Sequence, residues 1–456
     1  MTDDLESRLR QTLHDHAASV SSPSDAWNRY AGGNVTATRF GRDPRLLVAL
    51  PAAAVAVAAA LVIGVLVTRP THSGHQVAAP RVTSAPSAAS VAAPQVPSAA
   101  GALSAGPAAA GASGAAQAAG PPGGPVPHGF QPASATFVSA ADGWVLGTAP
   151  CATPPCTSIL RTRDGGTTWE GISAPPAPLT NGTTAGVAHL RFADPLDGWA
   201  YGSTPAGSVL YATHDGAISW HAVTLPVGGQ LSALEAAAGA VHAVVISSSG
   251  PVRILSASAH SDQWAASPTT VPVGAGPAPH AQLVLNGTSG WVVEVDRTVV
   301  AGARLNDGAW TAWQPPCTNV QGPAVLAASS PLQLVATCQV GLWSAPQGEH
   351  LFTSHDGGVT FAESTGPADP TEGSAAIATP APGVVVAGSG SLVATFDGGA
   401  SWSTVYAGGS GGGPLVEVGF TTPTHGIAVL GDPSHHSILA RSSDGGHTWE
   451  PVTFPA

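Results

Sequence analysis

Thr162-Arg163-Asp164-Gly165-Gly166-Thr167-Thr168-Trp169 is the stretch from which the fold can be read. Its chemistry is that of a turn. An aspartate accepts hydrogen bonds from the backbone that follows it, and glycine supplies positive φ at no steric cost. The hydroxyls tie the turn from the other side, and the tryptophan brings a large ring to pack on a sheet. The pattern of small hydroxyl, any residue, Asp, Gly, Gly, any residue, Thr or Ser, aromatic occurs five times. The other copies centre on Asp215 and Trp220, Asp356 and Phe361, Asp397 and Trp402, and Asp444 and Trp449. The second has Ala217 for its second glycine, and the third ends in Phe361 rather than tryptophan.

Two further copies are degraded: Leu305-Asn306-Asp307-Gly308-Ala309-Trp310, and residues 256–264, which keep mainly Trp264. From Asp164 through Asp215, Ser258, Asp307, Asp356 and Asp397 to Asp444 the steps are 51, 43, 49, 49, 41 and 47 residues. That spacing suits one four-stranded propeller blade per repeat. A second pattern precedes each marker. Phe137…Asp142-Gly143-Trp144 recurs as Phe192…Asp197-Gly198-Trp199, as Leu285…Gly290-Trp291 and as Phe420…Gly426-Ile427. These alternating runs bounded by Gly and Asp read as strands. The expectation is an all-β, seven-bladed propeller over residues 129–456.

The box resembles the Asp box of sialidase-like, bacterial neuraminidase repeat propellers. Its pairing with an F…DGW strand is similar to the photosystem II assembly-factor branch of that superfamily. The resemblance implies a fold more than an activity, because such propellers host hydrolases, sorting receptors and scaffolds alike. Carboxylates repeated once per blade lie on a ring and cannot converge on one substrate. The sialidase-like relatives use an arginine triad, a Tyr-Glu pair and an Asp acid/base after a Phe/Tyr-Arg-Ile-Pro motif, which has no match here. The arginines after residue 128 are Arg161, Arg163, Arg191, Arg253, Arg297, Arg304 and Arg441, and Tyr201, Tyr211 and Tyr406 have no evident Glu partner. A two-carboxylate glycosidase would draw on Glu235, Glu294, Asp296, Glu349, Glu363 or Glu417. No catalytic, cofactor or metal site is expected; His425, His435 and His436 near one loop of the last repeat lack an acidic partner.

The rest of the chain sets the expected topology. Leu46 to Thr68 carries no charge, and 23 residues of helix span about 34 Å, enough for a bilayer. Residues 1–45 carry six arginines and residues 69–128 two, so the positive-inside rule puts the N-terminus in the cytoplasm and the C-terminal part outside. Residues 69–128, rich in Ala, Pro, Ser and Gly with no aromatic, are expected to form a disordered linker. All four cysteines follow the apolar segment, as disulfides in an oxidising compartment require. Proximity favours Cys151–Cys156 and Cys317–Cys338; two other connectivities and a zinc site stay open. The net charge of −12 falls on the exported part and excludes a basic nucleic-acid face.

In the segment before the bilayer helix, Leu5, Leu9 and Leu13 mark one amphipathic helix. It is a candidate contact for a cytoplasmic protein, in a layout similar to membrane-bound anti-sigma regulators but without their His/Cys cluster. The expected function is a membrane-anchored, extracytoplasmic, non-enzymatic binding or scaffold module for a protein or glycan. The alternatives are a sialidase-like glycoside hydrolase and a transmembrane sensor.

Overall fold

A computed structural model describes residues 123–455, apart from 153–155, 181–183, 205–206, 248–249, 275–278, 297, 319–323, 343–344, 368–373, 409–413 and 433–435. The expectations for residues 1–45, 46–68 and most of 69–128 lie outside the described residues. Among the described residues no helix is long and apolar enough to cross a membrane.

Seven sheets of four antiparallel strands follow one another along the chain, each strand pairing with its sequence neighbour. Blades 1 to 7 cover residues 131–172, 189–222, 230–271, 280–313, 324–365, 376–406 and 415–451. The first strand of every blade lies against the first strand of the next, and that of blade 7 against that of blade 1. These strands therefore surround the axis of a closed seven-bladed β-propeller. Fourth strands lie outermost, and His221–Ala222 of blade 2 and Glu450–Pro451 of blade 7 are exposed.

Sheets alternate the direction of their side chains, so each blade offers one face to each neighbour. The core accordingly divides into seven apolar clusters, one per blade interface. Trp144, Trp199 and Trp291, each on the second strand of its blade and each preceded by glycine, are among the largest fully buried side chains. Trp144 stacks on Phe192 of the next blade with ring centroids 4.1 Å apart.

The Gly before these tryptophans has a packing cause. Phe137 pairs with Gly143, and a Cβ there would stand 2.3 Å from the Phe137 ring. Phe192 over Gly198 and Phe420 over Gly426 repeat the arrangement. Each ring then meets the box tryptophan of its own blade, Phe137 with Trp169, Phe192 with Trp220 and Phe420 with Trp449.

Among the described residues no strand is exchanged between blades 1 and 7. Their interface is closed by hydrogen bonds and by the two ends of the described chain. Ser437 N donates to Gln131 Oε1 (2.9 Å) and Ser437 Oγ to Pro132 O (2.6 Å). Phe454 stands edge-on to Phe130 and Trp169 at 5.1 and 5.5 Å. Gly124 exchanges backbone hydrogen bonds with Gly171 on the outer strand of blade 1. Gly124, in the expected linker, thus lies against blade 1. Disulfides join Cys151 to Cys156 between the second and third strands of blade 1, and Cys317 to Cys338 ahead of and within blade 5. Of the cysteine pairings open in sequence this is the one expected from proximity, and no free cysteine is left for zinc.

Candidate functional site

Arg191 sits on the first strand of blade 2 (His189–Phe192), the strand that faces the axis. Leu190 and Phe192 turn into the interface with blade 1, which leaves Arg191 on the opposite side. Its Nε donates to Glu235 of blade 3 and its Nη2 meets Glu417 of blade 7, both at 2.6 Å. Glu417 Oε2 also accepts from Ser134 Oγ (3.0 Å) and Ala135 N (2.9 Å) of blade 1. One cation therefore links four blades at the axis. Burial opposes the charge on Arg191, but Glu235 and Glu417 outweigh it and hold the guanidinium above its ordinary range. Beside it, burial and then the Arg191 charge press His189 down to about 4, so this imidazole is neutral at pH 7.

Tyr201 belongs to the same group, a partner set that sequence reading did not reveal. Its hydroxyl, however, is engaged by Leu234, donating to the carbonyl (3.4 Å) and accepting from the amide (3.2 Å). The arginines do not form a triad among the described residues. Arg161 and Arg163 meet Glu170 on the outer strand of blade 1, Arg253 and Arg304 lie on third strands of blades 3 and 4, and Arg441 on that of blade 7. Arg297 lies outside the described residues.

The boxes form turns between third and fourth strands. In blade 1, Asp164 Oδ1 accepts from Thr167 N (3.0 Å) and Thr168 N (2.8 Å), and Oδ2 from Thr168 Oγ1 (2.6 Å). Thr162 Oγ1 donates to Asp164 (2.9 Å) and accepts from Gly166 N (2.8 Å). Asp215, Asp356, Asp397 and Asp444 repeat the hydroxyl-to-carboxylate bond four residues on, each at 2.6 Å. Bonds from Ser401 and Thr395 hold the Asp397 carboxyl down at about 2. Every box carboxylate is thus turned into its own loop, in a blade of its own. Ala217, in place of glycine, takes φ of 67°.

Where a box is altered, the neighbouring blade compensates. The Phe361 side chain has no N–H, and the carbonyls of its turn accept from blade 4 instead, Gly357 O from Trp291 Nε1 (3.0 Å) and Gly358 O from Trp313 Nε1 (2.7 Å). Asp307 and Gly308 of blade 4 form a two-residue hairpin, with φ of 50° and 77°, rather than a box.

The other candidate acids are dispersed. Glu349 accepts from Ser374 N and Oγ, and Glu363 pairs with His350. Glu294 is buried on the second strand of blade 4, where burial, countered by the Gly274 amide and aided by Asp296, lifts it to about 7. Its Oε2 has no hydrogen-bond partner. His425 and His436 do not share a loop. They lie at opposite ends of the strand Gly426–Asp432, because Gly426 pairs with Ser442 and Asp432 with His436; His435 is outside the described residues. Glu235 and Glu417 are the two acids that the fold brings to one cation, and no spacing along the chain reveals it. Residues from blades 2, 3 and 7 meet only when the ring closes.

A cavity of about 240 Å³ adjoins this group, lined by Arg191, Glu235, Glu417, Thr136 and Phe420. A second of about 280 Å³ follows the seam of blades 7 and 1 out to Asp164, Arg441 and Glu450. Phe137, Thr421 and Ile427 line both.

Axial first strands, interface tryptophans and box turns define a seven-bladed Asp-box propeller. Residues 126–431 match the family described as photosynthesis system II assembly factor YCF48, and the chain belongs to that family. No curated protein matches. Among solved structures the chain is similar to YCF48 bound to D1 peptide, at 20% identity over 69% of this chain and 93% of that one (TM-score 0.48). It is also similar to YCF48 from Cyanidioschyzon merolae, at 17% identity over 71% and 98% (TM-score 0.49). A GH74 enzyme of Niastella koreensis matches at 13% identity over 70% and 65% (TM-score 0.38).

Proposed function

We propose that this propeller is a non-enzymatic scaffold that binds a protein partner, held at a membrane by residues 46–68 and displayed on the outer side. Membership of an assembly-factor family supports a protein ligand. The observation that carries the non-enzymatic reading is the axial group, where Arg191 is engaged by Glu235 and Glu417 and the Tyr201 hydroxyl by backbone. A substrate carboxylate would have to displace two anions from that guanidinium. The face bearing the box turns is the candidate docking face, since it exposes Ile218, Leu332 and Val359. The uncharged segment and the arginine imbalance support the topology.

The test is crosslinking capture with the full chain in intact cells. A defined protein should be recovered, and Leu332→Asp with Val359→Asp should reduce its yield several-fold. Glycoside hydrolysis that disappears in Glu235→Gln, with no captured protein, would establish the hydrolase reading instead. Protease treatment of intact cells should remove residues 123–456; their survival would reverse the topology.

A further inference from the structure

Blade 3 has lost its box, and the turn that replaces it carries His260 and Asp262. These side chains meet Asp194, Asp197, His214 and His221 of blade 2. Asp194 and Asp197 come from the turn between its first two strands, His214 from its box, and His221 from the residue after the box tryptophan. Three imidazoles and three carboxylates thus gather where blades 2 and 3 adjoin, away from the axial group.

The contacts within the cluster have a direction. Asp197 is nearly buried, its side chain 4% exposed, and both of its oxygens are in use. Oδ1 accepts from His214 Nδ1 and Oδ2 from His260 Nδ1, each at 2.5 Å. A carboxylate can only accept, so the His214 proton is on Nδ1 and, in the neutral ring, Nε2 carries a lone pair. That Nε2 is sheltered from solvent and makes no hydrogen bond; Asp262 Oδ2 lies 3.5 Å away. Asp262 Oδ1 is sheltered and unbonded too. His221 Nε2 stands 2.5 Å from Asp262 Oδ2 and so donates to it here; that proton is released when Nε2 turns its lone pair to an ion. The donor atoms of His214, His221 and Asp262 all lie within 4.8 Å of one another. Ligands of a tetrahedral zinc ion, bonded at about 2.0–2.1 Å, are themselves separated by about 3.3 Å.

From this arrangement we infer a divalent transition-metal site, of zinc type, with His214 Nε2, His221 Nε2 and an Asp262 oxygen as ligands and water in the fourth position. Two nitrogens and one carboxylate suit a borderline cation better than calcium or magnesium, which favour all-oxygen shells. Asp197 is the positioning residue. It fixes the His214 tautomer and raises its basicity, as carboxylates behind metal-bound histidines do, and His260 secures its other oxygen. The ion joins the outer hairpin of blade 2 to the turn of blade 3, in the place where a box would otherwise organise that turn. This inference is independent of what the propeller binds.

The test uses the untagged full-length chain, stripped with a chelator and titrated with Zn²⁺ at pH 7.5 in the calorimeter. One equivalent should bind with micromolar or tighter affinity and raise the melting temperature by a few degrees. Co²⁺ should give the visible absorption of a four-coordinate nitrogen and oxygen site. His221→Ala, at a half-exposed position that folding tolerates, and His214→Ala should each weaken binding at least a hundredfold. Asp197→Asn should weaken it about 10- to 100-fold, and His425→Ala should leave it unchanged. Absence of a stoichiometric binding event in the parent chain would overturn the site. So would unaltered affinity and cobalt spectrum in His221→Ala, which would leave a hydrogen-bonded histidine–carboxylate cluster only.

Discussion

Blades 1 and 3 close the same kind of hairpin by different means. In blade 1 the turn is organised from within: Asp164 binds two amides and two hydroxyls, and Trp169 Nε1 donates to Gly166 O (3.1 Å). In blade 3, Ser258 stands at the aspartate position, and the turn is held across the interface by Asp197 bonded to His260 and by His221 bonded to Asp262. Blade 4 goes further, with a bare Asp307-Gly308 hairpin while Trp291 and Trp313 donate into the turn of blade 5. A box is therefore a local solution that can be replaced, in blade 3 by partners from blade 2 and in blade 4 by a two-residue hairpin.

Acid should separate the two kinds of blade, with the largest effect of any perturbation. His242 of blade 3, pressed down to about 4 by burial, and His189 of blade 2, likewise about 4, sit below the ordinary value of 6.5. Their folded pKa values are depressed, so their stabilising contribution is complete above 6.5 and lost as pH falls toward 4. The box aspartates are also depressed, Asp397 from 3.8 to about 2, so the boxed turns lose theirs between those values. Hydrogen exchange followed by pH should show blade 3 and the axial strand of blade 2 loosening first and the boxes of blades 1, 5, 6 and 7 later. Simultaneous loss in all blades would break the distinction, and His242→Gln should remove the blade 3 part of the early step.

Trp291→Ala should cost about 3–5 kcal/mol in denaturant unfolding, because it empties the blade 4–5 interface and leaves Gly357 O without its donor. Exchange should then rise in the blade 5 turn as well as in blade 4; an effect confined to blade 4 would mean that the turn does not depend on its neighbour. Asp215→Ala removes an acceptor that serves a turn amide and two hydroxyls, and should cost about 1–2 kcal/mol. Ser258→Ala, at the equivalent position, should change stability by less than about 0.5 kcal/mol. Equal losses at the two positions would show that blade 3 still relies on its own turn. The smallest effect is a gain. Ala217→Gly relieves a φ of 67° at some cost in chain entropy and should stabilise by about 0.5 kcal/mol, read as a small rise in melting temperature.

The repeats were legible because a box is local. A hydroxyl, an aspartate and two positive-φ glycines close a turn within eight residues, and the same eight residues announce it. Phe137 and Gly143 are six apart and form a contact pair of adjacent strands, so the strand pattern was legible for the same reason. The cysteine pairs, separated by 5 and 21 residues, were also within short reach. His425 and His436 show the limit. Eleven residues suggested one loop, but a strand of seven between them places them at opposite ends.

Fold class, blade number and turn positions were thus determined by the sequence alone, since each depends on hydrogen bonds and ring contacts between near neighbours in the chain. The axial group of Arg191, Glu235 and Glu417, and the histidine–carboxylate cluster of blades 2 and 3, were decided by tertiary structure. Their members lie 44 and 226 residues from Arg191 in the first case and span residues 194–262 in the second. Charge can pair across such distances only after seven apolar interfaces have set the blades in order. What the ring brings together is chemistry that no single repeat contains.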